Sequence, residues 1–237
     1  MKAMIFAAGL GKRLGDITKA VPKALVDING KTILQLAVEK VASHGFDDII
    51  INIHHFADLV EKEAGKLRSM GHKIAISDER DLLLETGGGL FKAKWFFDNN
   101  PFLLYNADII SDLDLGELYQ FHIEKNAFAT LATRIRKGNR FLLVDDNGIL
   151  RGWRNTSTGE EILAVPSEGN LTEVGFSGIH VVNPEIFNFL REGVYSLTPL
   201  YLQLASTHKI ITFRHDEGKW WDIGTPENLR EARKNYR

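Results

Sequence analysis

The chain contains no cysteine among its 237 residues. Disulfide bonds, thiolate metal sites and cysteine nucleophiles are therefore excluded, and the composition suits a reducing compartment. Long apolar runs are absent too. The run that follows Lys2 breaks at Gly9–Arg13, which is too early for a signal peptide or a membrane span. We therefore expect a cytoplasmic protein that has no membrane partner.

Positive and negative charges also nearly balance. A formal net charge of −2 gives no general attraction for nucleic acid, so any site for an anion must be local. The hydrophobic content of 44% is ordinary for a globular protein that buries a sizeable core. Because the sequence shows no linker, repeat or low-complexity segment, we interpret residues 1–237 as a single domain with two halves, 1–110 and 111–237.

What the chain does have is a glycine loop directly after an apolar segment, 1–6, which predicts a first β-strand. Gly9 and Gly11 let the backbone approach a ligand closely, and a row of N–H groups in such a loop binds phosphate oxygens. Arg13 and Lys23 add positive charge nearby. We therefore expect a polyphosphate site. Its loop consists of Ala7, Ala8, Gly9, Leu10, Gly11, Lys12 and Arg13.

Two common phosphate motifs do not fit this loop. A P-loop has four residues between its glycines and a Ser or Thr after the lysine, whereas here Leu10 alone separates the glycines and Arg13 follows Lys12. A dinucleotide-binding loop has a third glycine, but Gly15 comes one residue late. The predicted second strand, 48–53, also lacks the acid that would hold a ribose.

The alternation of strands and helices in the first half predicts an α/β fold. We expect a Rossmann-like three-layer α/β/α arrangement with a mostly parallel mixed sheet. The predicted strands and helices of this half are 49–53, 73–77 and 102–105, and 31–44, 57–70, 90–97 and 114–125. In the second half, a hairpin at Asp145–Gly148 predicts a small antiparallel lobe. The polar segment 154–172 predicts an irregular loop.

Two aspartates are candidate metal ligands. Asp108 follows the buried strand 102–105, at the end of the sheet where ligands bind in open α/β folds. A carboxylate there suits Mg²⁺, which takes one or two carboxylates together with phosphates and water. Asp222 offers a second carboxylate just before an abrupt turn. A turn cap is the alternative role for Asp108, and an ordinary loop aspartate is the alternative for Asp222.

The glycine loop and Pro22-Lys23-Ala24-Leu25 together resemble the sugar-1-phosphate nucleotidylyltransferases, over nearly the whole chain. Within that family the chain is similar to the N-acetylmuramate-1-phosphate uridylyltransferase type. Further matching segments are Glu85-Thr86-Gly87-Gly88-Gly89, Asn106-Ala107-Asp108, Phe176-Ser177-Gly178-Ile179 and Trp221-Asp222-Ile223-Gly224-Thr225-Pro226.

This resemblance implies transfer of a nucleoside monophosphate from a triphosphate, UTP, to N-acetylmuramic acid 1-phosphate, with Mg²⁺ as cofactor and release of pyrophosphate. The implied catalytic residues are Arg13 and Lys23. The implied nucleotide contacts are the loop Ala7–Arg13 together with Glu85, Thr86, Gly87 and Asn106. The second glycine-rich segment, entering a helix at Leu90, would hold the base. The implied sugar-phosphate contacts are Lys23, Glu173 and Gly178, and the implied metal ligands are Asp108 and Asp222.

Other substrates and roles stay open at this point. The alternatives are guanylyl or other nucleotidyl transfer to mannose, heptose or glucose 1-phosphate, cytidylyl transfer to phosphocholine, and a non-catalytic nucleotide-sensing subunit. Retention of the charged residues Arg13, Lys23, Asp108 and Asp222 argues against a non-catalytic subunit. The segment Trp153-Arg154-Asn155 stands where many relatives carry a Glu-Lys pair that contacts the sugar phosphate. Whether Arg154 or Asn155 replaces that contact is left open.

Overall fold

The computed structural model describes residues 1–166 and 169–236. Its centre is a ten-stranded mixed sheet, and alternate residues of the first strand enter different cores. Ala3 and Ile5 pack into one hydrophobic cluster and Met4 into another, because successive side chains of a strand point to opposite faces. Both faces of the sheet are thus covered, which confirms the three-layer prediction.

The elements alternate along the first half and become richer in strands in the second. In the described residues the strands are β1 (Lys2–Phe6), β2 (Asp27–Ile28), β3 (Lys31–Thr32), β4 (Asp48–Ile53), β5 (Lys73–Asp78), β6 (Phe102–Asn106), β7 (Ile109–Ser111), β8 (Ala129–Arg134), β9 (Arg140–Val144), β10 (Leu150–Asn155), β11 (Glu160–Leu163), β12 (Thr172–Val182), β13 (Ile210–Arg214) and β14 (Trp220–Asp222). The α-helices are α1 (Ile33–Ala42), α2 (Ala57–Ser69), α3 (Glu85–Lys92), α4 (Leu115–Glu124), α5 (Leu197–Leu204) and α6 (Pro226–Asn235).

The parallel part of the sheet runs in the order β6-β1-β4-β5. From β1 the chain moves to β4 and β5 on one side, and later to β6 on the other. The last residue of β1, Phe6, is level with Asn52 of β4 and Asn106 of β6. Strand order reverses here, so the loops that follow β1 and β6 diverge and leave a crevice at the carboxyl ends.

The antiparallel part is joined to this sheet by the long strand β12. It pairs with β6 and β8 and, at its beginning, with β9. Strands β9, β10 and β11 form the small antiparallel lobe, and the turn between β9 and β10 lies at Asp145–Gly148. Both the lobe and its hairpin were predicted from the sequence, and both are confirmed.

Two predicted boundaries are wrong. The helix predicted over 90–97 is α3, which begins at Glu85 and ends at Lys92, followed by a 3₁₀ turn at Lys94–Phe96. The predicted loop 154–172 contains the end of β10 and all of β11, an edge strand whose glutamates are compatible with an unpaired outer side. Ser167 and Glu168 of that predicted loop lie outside the described residues.

A short strand pair outside the main sheet connects distant parts of the chain. β14 pairs antiparallel with β7, so that Asp222 is opposite Ile109, and the Ile223 N–H donates to the Asp108 carbonyl at 2.9 Å. Helix α6 follows at once, with the Thr225 side chain accepting from the Asn228 N–H. This pairing brings the end of the chain to the crevice beside β6.

No helix within residues 1–166 and 169–236 is long and apolar enough to cross a membrane.

Candidate active site

A cleft of about 450 Å³ opens at the carboxyl ends of β1, β4 and β6. Most of the residues predicted for the site line it. These are Ala7, Ala8, Gly9, Leu10, Gly11, Lys12, Arg13, Lys23, Glu85, Thr86, Asn106 and Asp108. The lining also includes Asn52, Leu83 and Gly224, which the sequence reasoning had not assigned to the site.

The glycine loop presents a row of backbone donors to this cleft. Among the described residues, the N–H groups of Ala8, Gly9, Leu10 and Gly11 have no acceptor. Gly11 adopts φ +63°, and a Cβ there would lie 2.9 Å from the Lys23 Cβ. A Cβ on Gly9 would meet no atom within 4 Å. The loop therefore has the form of an anion-binding nest in which donors are held but unsatisfied.

A buried network, missed by the sequence reasoning, fixes the beginning of this loop. The Ala7 N–H donates to Asn52 Oδ1 at 2.8 Å, and Asn52 Nδ2 donates to Glu79 Oε1 at 2.8 Å. The second Glu79 oxygen accepts from the Leu84 N–H at 3.2 Å, just before α3. Burial raises the pKa of Glu79. One carboxyl group thus connects the phosphate loop to the helix on the other side of the cleft.

Two carboxylates and two cations meet at the edge of the cleft. Lys23, whose side chain is 11% exposed, is paired through Nζ with Asp108 Oδ2 and lies 4.0 Å from Asp222 Oδ1. Arg13 Nη2 lies 3.8 Å from Asp222 Oδ2. Burial raises the pKa of Asp222, and the negative charge of Asp108 raises it further, while Lys23 and Arg13 act in the opposite direction. The predicted catalytic and metal residues are therefore brought together by the β14–β7 pairing.

The donor set fits a divalent cation such as Mg²⁺. Asp222 Oδ1 is buried and has no hydrogen-bond partner in the described part of the chain, so this oxygen is free to bind a cation. Two carboxylates with phosphate oxygens and water form the usual ligand set of Mg²⁺. Residues 1–166 and 169–236 contain no cluster of three or more acidic or histidine side chains suited to a metal. A substrate would have to supply further ligands.

The second glycine-rich segment differs from the prediction. Glu85, at φ +61°, and Thr86 line the cleft, but Gly87 does not. Its N–H donates to the Tyr195 carbonyl at 2.8 Å, and a Cβ there would lie 2.3 Å from the Tyr195 ring. Gly87 therefore packs against a neighbouring loop and does not offer bare backbone to a base.

The residues predicted on the sugar side are separated in the structure. Gly178 is next to Asn106, whose Nδ2 would lie 2.9 Å from an added Cβ. Glu173 instead accepts from Arg154 Nη1 at 2.6 Å, and Arg154 Nε donates to Glu161 at 2.6 Å. Asn155 is buried and accepts from the Ser157 N–H at 3.1 Å and the Ser157 hydroxyl at 2.7 Å. Arg154, Asn155 and Glu173 satisfy neighbours within the small lobe and do not line the cleft.

The fold and the glycine loop correspond to a known family of proteins. Residues 2–237 match the model of the nucleotidyl transferase family, and the chain belongs to that family. It is an enzyme of the transferase class.

The similar curated proteins are sugar-1-phosphate nucleotidylyltransferases, which confirms the resemblance read from the motifs. N-acetylmuramate alpha-1-phosphate uridylyltransferase from Caulobacter vibrioides is 29% identical over 95% of this chain and 92% of that protein. UTP–glucose-1-phosphate uridylyltransferase from Synechocystis is 31% identical over 98% of this chain and 62% of that protein. A structure of a putative glucose-1-phosphate thymidylyltransferase from Bacillus anthracis has a TM-score of 0.82, at 19% identity, over 99% of this chain and 94% of that one.

Proposed function

We propose that the cleft transfers a nucleoside monophosphate from a nucleoside triphosphate to a sugar 1-phosphate and releases pyrophosphate. The observation that carries this proposal is the meeting of three features at one edge of the cleft. These are the row of unpaired N–H groups, the cations Arg13 and Lys23, and the carboxylates Asp108 and Asp222, which both lie near Lys23. A site of this composition is suited to holding two polyanions beside each other.

In the proposed reaction an oxygen of the sugar phosphate attacks the α-phosphorus, and the bond between the α-phosphorus and the oxygen bridging to the β-phosphorus breaks. The attacking oxygen is already an anion, so no general base is needed. The protein has to position the two anions and stabilise the charge that develops, as in other phosphoryl-type transfers. The N–H groups of Ala8 to Gly11 and Arg13 would bind the departing pyrophosphate. Lys23 would neutralise the sugar phosphate or the α-phosphate.

Asp108 and Asp222 would hold Mg²⁺. When bound, the ion supplies positive charge and fixes the relative position of the phosphates it contacts. Burial and then the negative charge of Asp108 raise the pKa of Asp222, and a bound cation would offset both effects.

For the substrates we favour UTP and N-acetylmuramic acid 1-phosphate. The support is the similarity to uridylyltransferases named for that sugar in Caulobacter vibrioides and Neisseria meningitidis, at 29% and 28% identity. Glucose 1-phosphate is the second candidate, because the Synechocystis relative named for it is 31% identical.

A pyrophosphate-release assay tests the function directly. Each of the four ribonucleoside triphosphates is combined with N-acetylmuramic acid, glucose and mannose 1-phosphates, with Mg²⁺ and with chelator. We expect turnover with UTP and the muramic acid phosphate, and none with chelator. A preference for GTP or a hexose phosphate would overturn the substrate assignment and leave the reaction class intact. Absence of turnover with every pair would contradict both.

The carboxylates are tested in the same assay. We expect Asp108→Asn and Asp222→Asn each to lower kcat by about 100-fold or more, because the metal ligand is lost and a cation is left less balanced. Asp146→Asn, in the exposed β9–β10 hairpin, is the matched control and should leave kcat unchanged. Near wild-type rates in both site variants would refute the metal assignment.

Replacement of the two cations should impair the use of different substrates. Arg13→Ala and Lys23→Ala are each expected to remove about 2–4 kcal/mol of transition-state stabilisation, the usual loss for one preorganised charged donor. Arg13→Ala should impair use of the triphosphate, and Lys23→Ala use of the sugar phosphate. Steady-state kinetics with each substrate varied measure this, with the exposed Lys62→Ala as control. Unchanged kinetics in both variants would remove the loop from the mechanism.

A further inference from the structure

Arg136 lies against Gly175 of β12 and against Trp220 of β14, the strand that ends at Asp222. It lies two residues beyond β8, and its guanidinium carbon is 5.8 Å from the centre of the Trp220 ring. The Trp220 ring is itself fixed, because its Nε1 donates to the Ser177 carbonyl at 3.1 Å. A Cβ on Gly175 would lie 2.5 Å from Arg136 Nε, so this glycine leaves the space through which the arginine side chain passes.

The guanidinium is half-buried but largely unpaired. Its Nη1 donates to the Lys137 carbonyl at 3.3 Å, whereas its Nε is buried and has no hydrogen-bond partner in residues 1–166 and 169–236. Burying a charged donor without a partner costs several kcal/mol in general. Burial accordingly lowers the pKa of Arg136. An arginine held in this way is suited to an anion that the protein does not itself provide.

Arg136 and Asp222 are linked through β14. Trp220, whose ring the Arg136 guanidinium covers, and Asp222 are two residues apart in that strand, so their side chains are on the same face of it. No ion pair joins Arg136 to Asp222 among the described residues, unlike Arg13 and Lys23, which are both within 4.0 Å of Asp222. Asp222 thus has two cations near its carboxylate, and Arg136 lies against Trp220 on the same strand.

Arg154, an arginine of β10, does not fit such a role. Both glutamates near Arg154, Glu161 and Glu173, are bonded to its guanidinium, so its donors are already used. Arg136 has no carboxylate partner of this kind in the described chain. A planar guanidinium with free N–H groups matches phosphate geometry.

We propose that Arg136 binds the phosphate of the sugar 1-phosphate. This inference rests on the proposed function. It assigns to Arg136 the contact that Arg154 and Asn155 do not provide.

The test is steady-state kinetics of pyrophosphate release with each substrate varied. We expect Arg136→Gln to raise KM for the sugar 1-phosphate by about 10- to 100-fold, the usual effect of losing a charged hydrogen bond, and to change KM for the triphosphate less than about twofold. Arg136→Lys keeps the charge and the aliphatic stem but not the planar fork. It should raise KM for the sugar phosphate by about three- to tenfold, and it serves if the glutamine variant does not fold.

Arg134→Gln is the matched control. Arg134 also lies over the Trp220 ring, at 5.6 Å; its Nη2 donates to the Asp216 carbonyl at 3.3 Å, while its Nη1 has no hydrogen-bond partner in the described residues. We expect its KM values to stay within about twofold of wild type, because its guanidinium is already bonded to the Asp216 carbonyl and a half-exposed charge of this kind is worth little. An equal rise in the Arg134 variant would assign the effect to support of Trp220 and overturn the proposal.

The outcomes separate the two proposals. Wild-type turnover together with an unchanged KM for sugar phosphate in the Arg136 variants overturns only the role of Arg136. A parallel rise in both KM values also overturns it. Absence of wild-type turnover with every substrate pair overturns the proposed function and this inference together.

Discussion

Gly9 and Gly88 both lie in glycine-rich segments beside one cleft, yet their surroundings differ. A Cβ on Gly9 would meet no atom within 4 Å, whereas on Gly88 it would lie 1.9 Å from the Gly193 carbonyl oxygen. The N–H groups around Gly9 have no acceptor in the described chain, while those of Gly87 and Gly88 both donate to Tyr195. One segment leaves its backbone available to a ligand, and the other uses the same residue type for close packing.

The largest effect should come from filling the packed segment. Gly88→Ala places a methyl group against backbone that cannot rotate away, and we expect the free energy of unfolding to fall by about 3 kcal/mol or more. Gly65→Ala is the control, because Gly65 lies in helix α2 with nothing within 4 Å of its added Cβ. That variant should gain about 0.5–1 kcal/mol. Urea unfolding measures both, and equal stability of the two would contradict the packing argument.

The hydrogen-bond network that connects the two glycine-rich segments should give the next largest effect on stability. In Glu79→Gln one carboxylate oxygen becomes an NH₂ group, so one of the donors from Asn52 and Leu84 loses its acceptor. We expect a loss of about 1–3 kcal/mol in the free energy of unfolding. The exposed Glu61→Gln should change it by less than about 0.5 kcal/mol. A neutral result for Glu79→Gln would show that the network does not fasten the phosphate loop.

Substitution in the open segment should affect binding alone. Gly9→Ala puts a methyl group where the triphosphate would approach, so we expect KM for the triphosphate to rise about tenfold, equivalent to about 1.4 kcal/mol. Its urea midpoint should equal that of wild type, since no protein atom is displaced. A fall in stability with unchanged KM would reverse the comparison between the segments.

Unfolding by acid should also distinguish Gly88→Ala from Gly9→Ala. Burial lowers the pKa of His180 to about 3 and that of His215 to about 4, from 6.5. Between pH 6.5 and 4 the unfolded chain therefore binds more protons than the folded one, and stability falls as pH falls. Each histidine contributes up to about 1.4 kcal/mol per pH unit. Circular dichroism during acid titration should show Gly88→Ala unfolding about one pH unit above Gly9→Ala.

Much of the architecture could be predicted because it depends on local patterns. The apolar run of β4 and the Asp145–Gly148 hairpin each depend on neighbouring residues, and both predictions are confirmed. The start of α3 could not be found in this way. Three consecutive glycines disfavour a helix, and the residues that they pack against, among them Tyr195 and Gly193, are far away in the sequence.

The residues of the site divide in the same way, into those that belong to a local sequence motif and those that only the fold brings together. The loop Ala7–Arg13 carries its own motif and was predicted, whereas Asn52 and Glu79 are ordinary polar residues until the fold buries them together. Asn52 did leave one signal, since a polar residue at the end of a β-branched run lies at the ligand-binding edge of a parallel sheet. The unpaired state of Arg136 left no signal in the sequence, because it depends on Trp220 and Gly175.

The β14–β7 pairing makes the site dependent on the order of synthesis. The phosphate loop and Asp108 leave the ribosome early, but Asp222 follows only after the second half of the chain has been made. Contacts between such distant segments have to await closure of the long intervening chain. A nascent or C-terminally cleaved chain would keep the phosphate loop without the second carboxylate. Onset of turnover during translation would therefore report completion of the fold rather than formation of its first half.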